Sequence, residues 1–151
     1  MNTRLALVAA SLLVVWSTAG ADVAVTAVSA EELVARQAAE SEVFVLDVRT
    51  PEEFVSGHVP GAVNISHEQV AERLGEIPRD REVVLYCRSG RRAMLAAEVL
   101  AANGYSRLGH LTGDMAGWAA AERPVEIPAD VDRCLAALKS ATGVADACAA
   151  R

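Results

Sequence analysis

Val83-Val84-Leu85-Tyr86-Cys87-Arg88-Ser89-Gly90-Arg91-Arg92 is the stretch on which the fold turns. Its first four residues form a continuous apolar run, as expected of a strand buried on both faces. The run stops at a cysteine, a loop rich in arginine and glycine follows, and the chain beyond reads as a helix. That helix is expected to carry Leu95, Val99 and Ala102 on one side and to end at Asn103-Gly104. A strand, a tight loop and a helix in that order form the unit from which parallel sheets with helical crossovers are built.

The same alternation extends outward from this unit. Upstream, Val43-Phe44-Val45-Leu46 is a second apolar run ending in Asp47. Thr50-Pro51-Glu52-Glu53 then supplies a cap, a proline at the first helical position and acids at the positive helix end, with Gly57 closing the turn. Val63-Asn64-Ile65 reads as a short strand. Ser66 and Gln69 are placed to cap a helix with Val70, Leu74 and Ile77 on one face and Pro78 as its stop. Ser29-Ala30-Glu31-Glu32 has the capping-box pattern ahead of Leu33. Downstream, Ser106 to Leu111 is a further strand candidate, weakened by Gly109. The fold class expected is therefore α/β, with helices on both faces of a parallel sheet.

Composition narrows the function. Hydrophobic residues make up 52% of the 151-residue chain, which argues against disorder over most of its length. The net charge of −6 and the absence of a long basic run argue against a nucleic-acid face, so an anionic ligand needs a local positive pocket. The first residues, 1–21, read as a secretory leader. Arg4 precedes an apolar stretch from Leu5 to Trp16, and Ala19-Gly20-Ala21 offers a cleavage site. That stretch falls short of the roughly 20 residues of a membrane-spanning helix. The expected product is exported, periplasmic, and without stable membrane insertion after cleavage.

The chemistry is concentrated in Cys87, Arg88, Ser89, Gly90, Arg91 and Arg92. At a strand end in an open α/β sheet, a tight loop turns successive backbone N–H groups inward and makes an anion cradle, reinforced by the next helix's N-terminus. A thiol at its base gains hydrogen bonds in its ionised form and becomes a nucleophile, provided that it is within reach of solvent. Gly90 permits the backbone angles of such a turn. A lone cysteine at a strand end is more often an inert core residue. Three arginines around it would then be buried without compensation, which favours the reactive reading.

At this point a family resemblance is visible. Leu46-Asp47-Val48-Arg49-Thr50-Pro51-Glu52-Glu53-Phe54, with Gly57-His58-Val59-Pro60-Gly61-Ala62-Val63-Asn64-Ile65, resembles the N-terminal signature of rhodanese domains. Val84 to Ala93 resembles their active-site loop, and Gly113-Asp114-Met115-Ala116-Gly117-Trp118 their closing motif. The resemblance runs from about Ser29 to Pro124, places a domain at residues 29–126, and implies a five-stranded parallel sheet flanked by helices on both faces. It also implies a sulfurtransferase that carries sulfane sulfur as a persulfide on Cys87, from thiosulfate or a related donor to a thiophilic acceptor such as cyanide or a thiol. Arg88, Ser89, Gly90, Arg91 and Arg92 would bind the donor, although the Arg92 side chain could instead turn inward to brace the loop. Four residues separate Cys87 from Arg92, whereas the related phosphatases and arsenate reductases have one more. Ala93 departs from the Ser or Thr common at that place. A sulfur-carrier or binding module acting on a partner protein is the alternative function, with a cysteine phosphatase or arsenate reductase behind it.

The remaining polar residues read mainly as structural. Asp47 ends a strand, and Arg49 is expected to reach Glu53 across one helical turn. His58 is expected to tie down a connecting loop. His67 and His110 stand alone, and no His or Cys pair has metal-site spacing, so neither metal nor cofactor is expected. Trp118 reads as core packing. Residues 127–151 are expected to form a helical tail with a turn at Gly143, an appendage outside the domain. In an exported chain, three cysteines leave one unpaired. A Cys134–Cys148 disulfide would leave Cys87 free. The other possibilities are two reduced tail thiols, or one of them serving as a resolving thiol for Cys87.

Overall fold

The computed structural model describes residues 24–39 and 43–148, so the leader expected at residues 1–21 lies outside the described residues. Five strands form one sheet in the order β1-β5-β4-β2-β3. They are β1 (Val25–Val28), β2 (Val43–Asp47), β3 (Val63–Asn64), β4 (Glu82–Tyr86) and β5 (Leu108–Leu111), and every pair is parallel. Around the sheet lie α1 (Ala30–Ala38), α2 (Pro51–Val55), α3 (Arg91–Ala102), α4 (Asp114–Ala120), α5 (Val131–Ser140) and α6 (Val144–Ala147). The α/β fold with five parallel strands agrees with the sequence reading.

Strand β4 shows why both faces must be covered. Side chains alternate across a strand, so Val83, Leu85 and Cys87 enter one apolar cluster while Val84 and Tyr86 enter the other. The first cluster is closed by α3 through Ala93, Ala96, Ala97 and Leu100. The second is closed by Leu33 of α1, Phe54 and Val55 of α2, and Trp118 of α4. With β2 and β5 pairing on either side, β4 is central and its C-terminal end opens at the middle of the sheet edge.

Several local expectations are corrected. Strand β1 was not legible in the residues, because Val25-Thr26-Ala27-Val28 is short and mostly exposed at the sheet's edge. Helix α3 buries Ala93, Ala96, Ala97 and Leu100, leaves Leu95 44% exposed and Ala102 exposed, and only partly buries Val99, so the side expected at Leu95, Val99 and Ala102 is not the one that faces the core. The small side chains of Ala93, Ala96 and Ala97 let that helix lie close to β4. Between β3 and β4 there is no α-helix. Gln69 N–H donates to the Ser66 backbone carbonyl, turns follow, and only Leu74–Glu76 forms a short 3-10 segment. Val70 and Ile77 are nonetheless buried. At α1 the Ser29 hydroxyl accepts from Glu32 N–H, but the Glu32 carboxylate pairs with Arg36.

Gly109 strengthens β5 rather than interrupting it. A Cβ there would lie 3.0 Å from Val28 Cγ2 and 3.2 Å from Val84 Cγ2, so glycine lets β1, β5 and β4 pack at that level.

The tail is integral to the core. Cys134 and Leu138 of α5 belong to the cluster of Phe54 and Trp118, Lys139 reaches Glu52 of α2 at 2.8 Å, and Cys134 is bonded to Cys148. It comprises two helices separated at Gly143. Among the described residues no helix is long and apolar enough to cross a membrane.

Candidate active site

Cys87 follows the last residue of β4, and the loop Arg88-Ser89-Gly90 leads directly into α3. Gly90 has φ +98°, a backbone conformation that L side chains rarely adopt, and this aims its N–H back at the cysteine. The bond is made: Gly90 N–H donates to Cys87 Sγ at 3.1 Å. A Cβ at Gly90 would also stand 3.2 Å from Asp114 Oδ2 and 3.5 Å from the His110 ring. The loop closes in this form only with glycine at that position. The sulfur therefore sits at the N-terminal end of a 12-residue helix, where backbone N–H groups and the helix dipole favour negative charge.

Access is the restrictive feature of the site. Cys87 is 2% exposed and buried, against the expectation of a sulfur within reach of solvent. Arg88, Ser89 and Arg91 around it are exposed. No ion pair among the described residues holds Arg88 or Arg91, which leaves two cations at the mouth of the loop. A cavity of about 380 Å³ between α2, β3 and the tail lies elsewhere, lined by Phe54, His58, Asn64 and Glu126 among others rather than by the cysteine loop.

Arg92 sits differently. Its guanidinium donates to both carboxylate oxygens of Glu53, at 2.6 and 2.9 Å, so its charge is already matched. The hydrogen bond from Arg92 holds Glu53 down at about 2, and the Thr50 backbone N–H and the Arg92 charge add to the effect. Arg92 is raised in turn, first by Glu53 and further by Cys87. The side chain is thus tied to Glu53 of α2. The expected Arg49–Glu53 pair is accordingly absent. Arg49 turns the other way, onto Asp47 at 2.6 Å and the Gly57 carbonyl at 2.9 Å.

Beneath the loop is a buried polar layer. Asp47 is fully enclosed and Arg49 is 5% exposed. Tyr86 donates its hydroxyl to Asp47 at 2.6 Å and accepts from Val59 N–H at 3.1 Å. Asn64 donates to the carbonyls of Asp47 and Arg49. Burial, then the Asp47 charge, raises the Tyr86 hydroxyl far above its ordinary range and keeps it a neutral donor. His58 stacks on Phe54 with ring centres 3.7 Å apart, bonds the Phe54 carbonyl through Nδ1, and pairs with Glu126 through its backbone. These residues shape the walls and supply no reacting group to Cys87.

Asp114, to which the sequence assigns no role, bonds the cysteine, and His110 stands behind it. Asp114 accepts from Cys87 N–H through Oδ1 at 2.8 Å, and its Oδ2 lies 3.0 Å from His110 Nε2. His110 is thus not alone, whereas the His67 ring has no such partner among the described residues. The signal available in the sequence was Asp114 itself, an acid directly after Gly113 in a motif that resembles the closing turn of the domain.

A parallel five-stranded sheet, with a cysteine between its central strand and a helix N-terminus and one loop amide aimed at the sulfur, defines a parallel α/β domain with its candidate site at the strand's C-terminal end. Comparison with known proteins specifies it. Residues 29–121 match the rhodanese-like domain model, and the chain belongs to the rhodanese-like sulfurtransferase family. A sulfurtransferase of Allochromatium vinosum is 38% identical over 104 residues, which cover 69% of this chain and 97% of that relative. The thiosulfate sulfurtransferase PspE of Escherichia coli is 37% identical over 70 residues, covering 45% of this chain and 67% of its own. Among solved structures, the Alr3790 protein of Anabaena sp. superposes with a TM-score of 0.64 at 25% identity, covering 76% of this chain and 94% of that one. A rhodanese-like domain protein of Staphylococcus aureus gives a TM-score of 0.60 at 26% identity, with 68% and 97% covered.

Proposed function

We propose that the protein is an exported thiosulfate sulfurtransferase that works through a persulfide on Cys87. The observation that carries the reading is the Gly90 N–H aimed at Cys87 Sγ at the N-terminus of α3, with exposed Arg88 and Arg91, which have no ion-pair partner among the described residues, flanking it. The Cys87 thiolate attacks the outer sulfur of thiosulfate. The donor's S–S bond breaks, its electron pair leaves with sulfite, and a Cys87–sulfur bond forms. The terminal sulfur's negative charge is met by the loop amides and the helix end. A thiophilic acceptor, cyanide or a thiol, then attacks that sulfur and returns the electron pair to Cys87. Arg88 and Arg91 attract the dianionic donor within an acidic protein, while Arg92 braces the loop against α2. The four-residue spacing between Cys87 and Arg92 favours a slender sulfane donor over a tetrahedral oxyanion. Export is supported by the leader pattern at residues 1–21 and by the Cys134–Cys148 bond, which is typical of oxidising compartments. The test is mass spectrometry after thiosulfate treatment, together with a thiosulfate–cyanide assay. One reducible sulfur atom on Cys87, and activity lost in Cys87→Ala, are expected. A chain that takes up no sulfur overturns the reading.

A further inference from the structure

The strongest unexplained feature of the site is the conformation of Asp114. It is 3% exposed, carries a carboxylate, and has φ +53°. Left-handed backbone is unfavourable for a residue with a side chain, less so for Asp than for most, and a buried carboxylate beside a site for anions adds an electrostatic cost. Starting α4 requires neither, since Gly113 already supplies a left-handed residue at φ +83° immediately before it. Backbone strain that persists beside a reactive group points to a role in that group's geometry.

We propose that Asp114 is the positioning residue of Cys87, held in place by His110, a role that rests on the sulfurtransferase reading and extends it. Cys87 has left the β4 ladder, so its N–H needs an acceptor that the sheet no longer provides. Asp114 Oδ1 supplies it at 2.8 Å. The next residue takes the other end of the cysteine: Met115 N–H donates to the Cys87 carbonyl at 3.0 Å, and Ala116 N–H donates to that of Arg88 at 3.1 Å. Two consecutive residues of α4 thus clamp both backbone polar groups of Cys87, which fixes the direction of its Cα–Cβ bond and the seat of the sulfur opposite Gly90 N–H. His110 Nε2, 3.0 Å from Oδ2, sets the carboxylate plane so that Oδ1 faces the cysteine. His110 is carried by β5 at the position that pairs with Leu85 of β4, and so reaches the loop from the neighbouring strand.

The experiment compares Asp114→Asn and Asp114→Gly with the unmodified protein. Asparagine keeps an acceptor and tolerates the left-handed region, whereas glycine suits the backbone and removes the side chain. Asp114→Gly is expected to fold while losing on the order of 100-fold in kcat, the scale of a misplaced reacting atom, with KM for thiosulfate little changed because Arg88 and Arg91 are untouched. Asp114→Asn is expected to stay near wild type, and His110→Ala to fall between the two. Amide hydrogen exchange followed by NMR gives a readout independent of turnover. Cys87 N–H should be protected in the wild type and in Asp114→Asn, and exposed to exchange in Asp114→Gly. Wild-type kcat in Asp114→Gly, or an Asn variant as impaired as the Gly variant, overturns the proposal. Rapid exchange of Cys87 N–H in the unmodified protein overturns it without recourse to any variant. Failure of the wild type to take sulfur from thiosulfate would instead sink the sulfurtransferase reading, and the exchange comparison would still report on the clamp.

Discussion

Arg92, in the first turn of α3, and Glu53, in the first turn of α2, form a two-pronged ion pair that ties the cysteine loop to the helix after β2. Glu53 also closes the capping box of α2 by accepting from Thr50 N–H at 3.1 Å, so one carboxylate serves a helix start and a loop brace together. Its acidity fixes a pH window. The folded carboxyl stays ionised down to about 2, while the unfolded one takes a proton near 4.5. As pH falls, the unfolded chain binds that proton first, so the stabilisation is complete above 4.5 and disappears by about 2. Urea denaturation should show the wild type losing more stability than Glu53→Gln between pH 5 and 2.5, with curves that converge at the acid end. At neutral pH the variant should be weaker by up to about 1 kcal/mol, as befits a partly exposed pair.

Donor capture divides the arginines of the loop differently. Arg88 and Arg91 have no carboxylate partner among the described residues and are exposed, so their charge is available to an incoming dianion. Arg88→Ala and Arg91→Ala should each raise KM for thiosulfate with little effect on kcat, and the double variant should raise it further. Wild-type kcat/KM should fall as salt is added, because screening over about 8 Å at physiological ionic strength weakens attraction to exposed charges. The double variant should be nearly indifferent to salt. Activity measured from low salt to about 0.5 M checks both statements.

The layer under the loop should respond in stability before it responds in catalysis. Tyr86→Phe removes a hydroxyl that donates to Asp47 and accepts from Val59 N–H, leaving both partners short in a dry interior. A loss of about 1–3 kcal/mol is expected from the unsatisfied groups. Thermal unfolding should register that loss, while KM for thiosulfate stays close to wild type, since no atom of this layer is aimed at the donor.

The strands flanked by β-branched runs were legible because a strand buried on both faces has few alternatives in composition, as Val83 to Tyr86 illustrates. The cysteine loop was legible for a related reason: Cys, Arg and Gly are placed there by the chemistry of a sharp turn around an anion. What escaped the sequence is non-local. Leu95 reads as core and is surface, because α3 turns Ala93, Ala96, Ala97 and Leu100 toward β4 instead. Arg49 looked like a partner for Glu53, but the fold brings Arg92 to that carboxylate from 39 residues away. Asp114 reaches Cys87 across 27 residues, a contact that no local pattern encodes.

The tail offers the last test, since its disulfide joins the protein's redox state to its stability. Cys134 is fully buried in the cluster of Phe54 and Trp118, and its bond to Cys148 spans 14 positions. Closing a loop of about 15 residues is worth about 3 kcal/mol in the chain-entropy model. The Cys134→Ala/Cys148→Ala protein should therefore unfold at lower urea by roughly that amount, and dithiothreitol should destabilise the wild type but not the variant. Thiol titration should find one reactive cysteine in the native wild type, Cys87. Because it is 2% exposed, small iodoacetamide should label it far faster than a bulky maleimide dye, and prior thiosulfate treatment should protect it. Equal rates for the two reagents would mean that the loop does not enclose its sulfur in solution. A second native thiol would mean that Cys134 and Cys148 are not bridged, and the stability difference would then have to vanish as well.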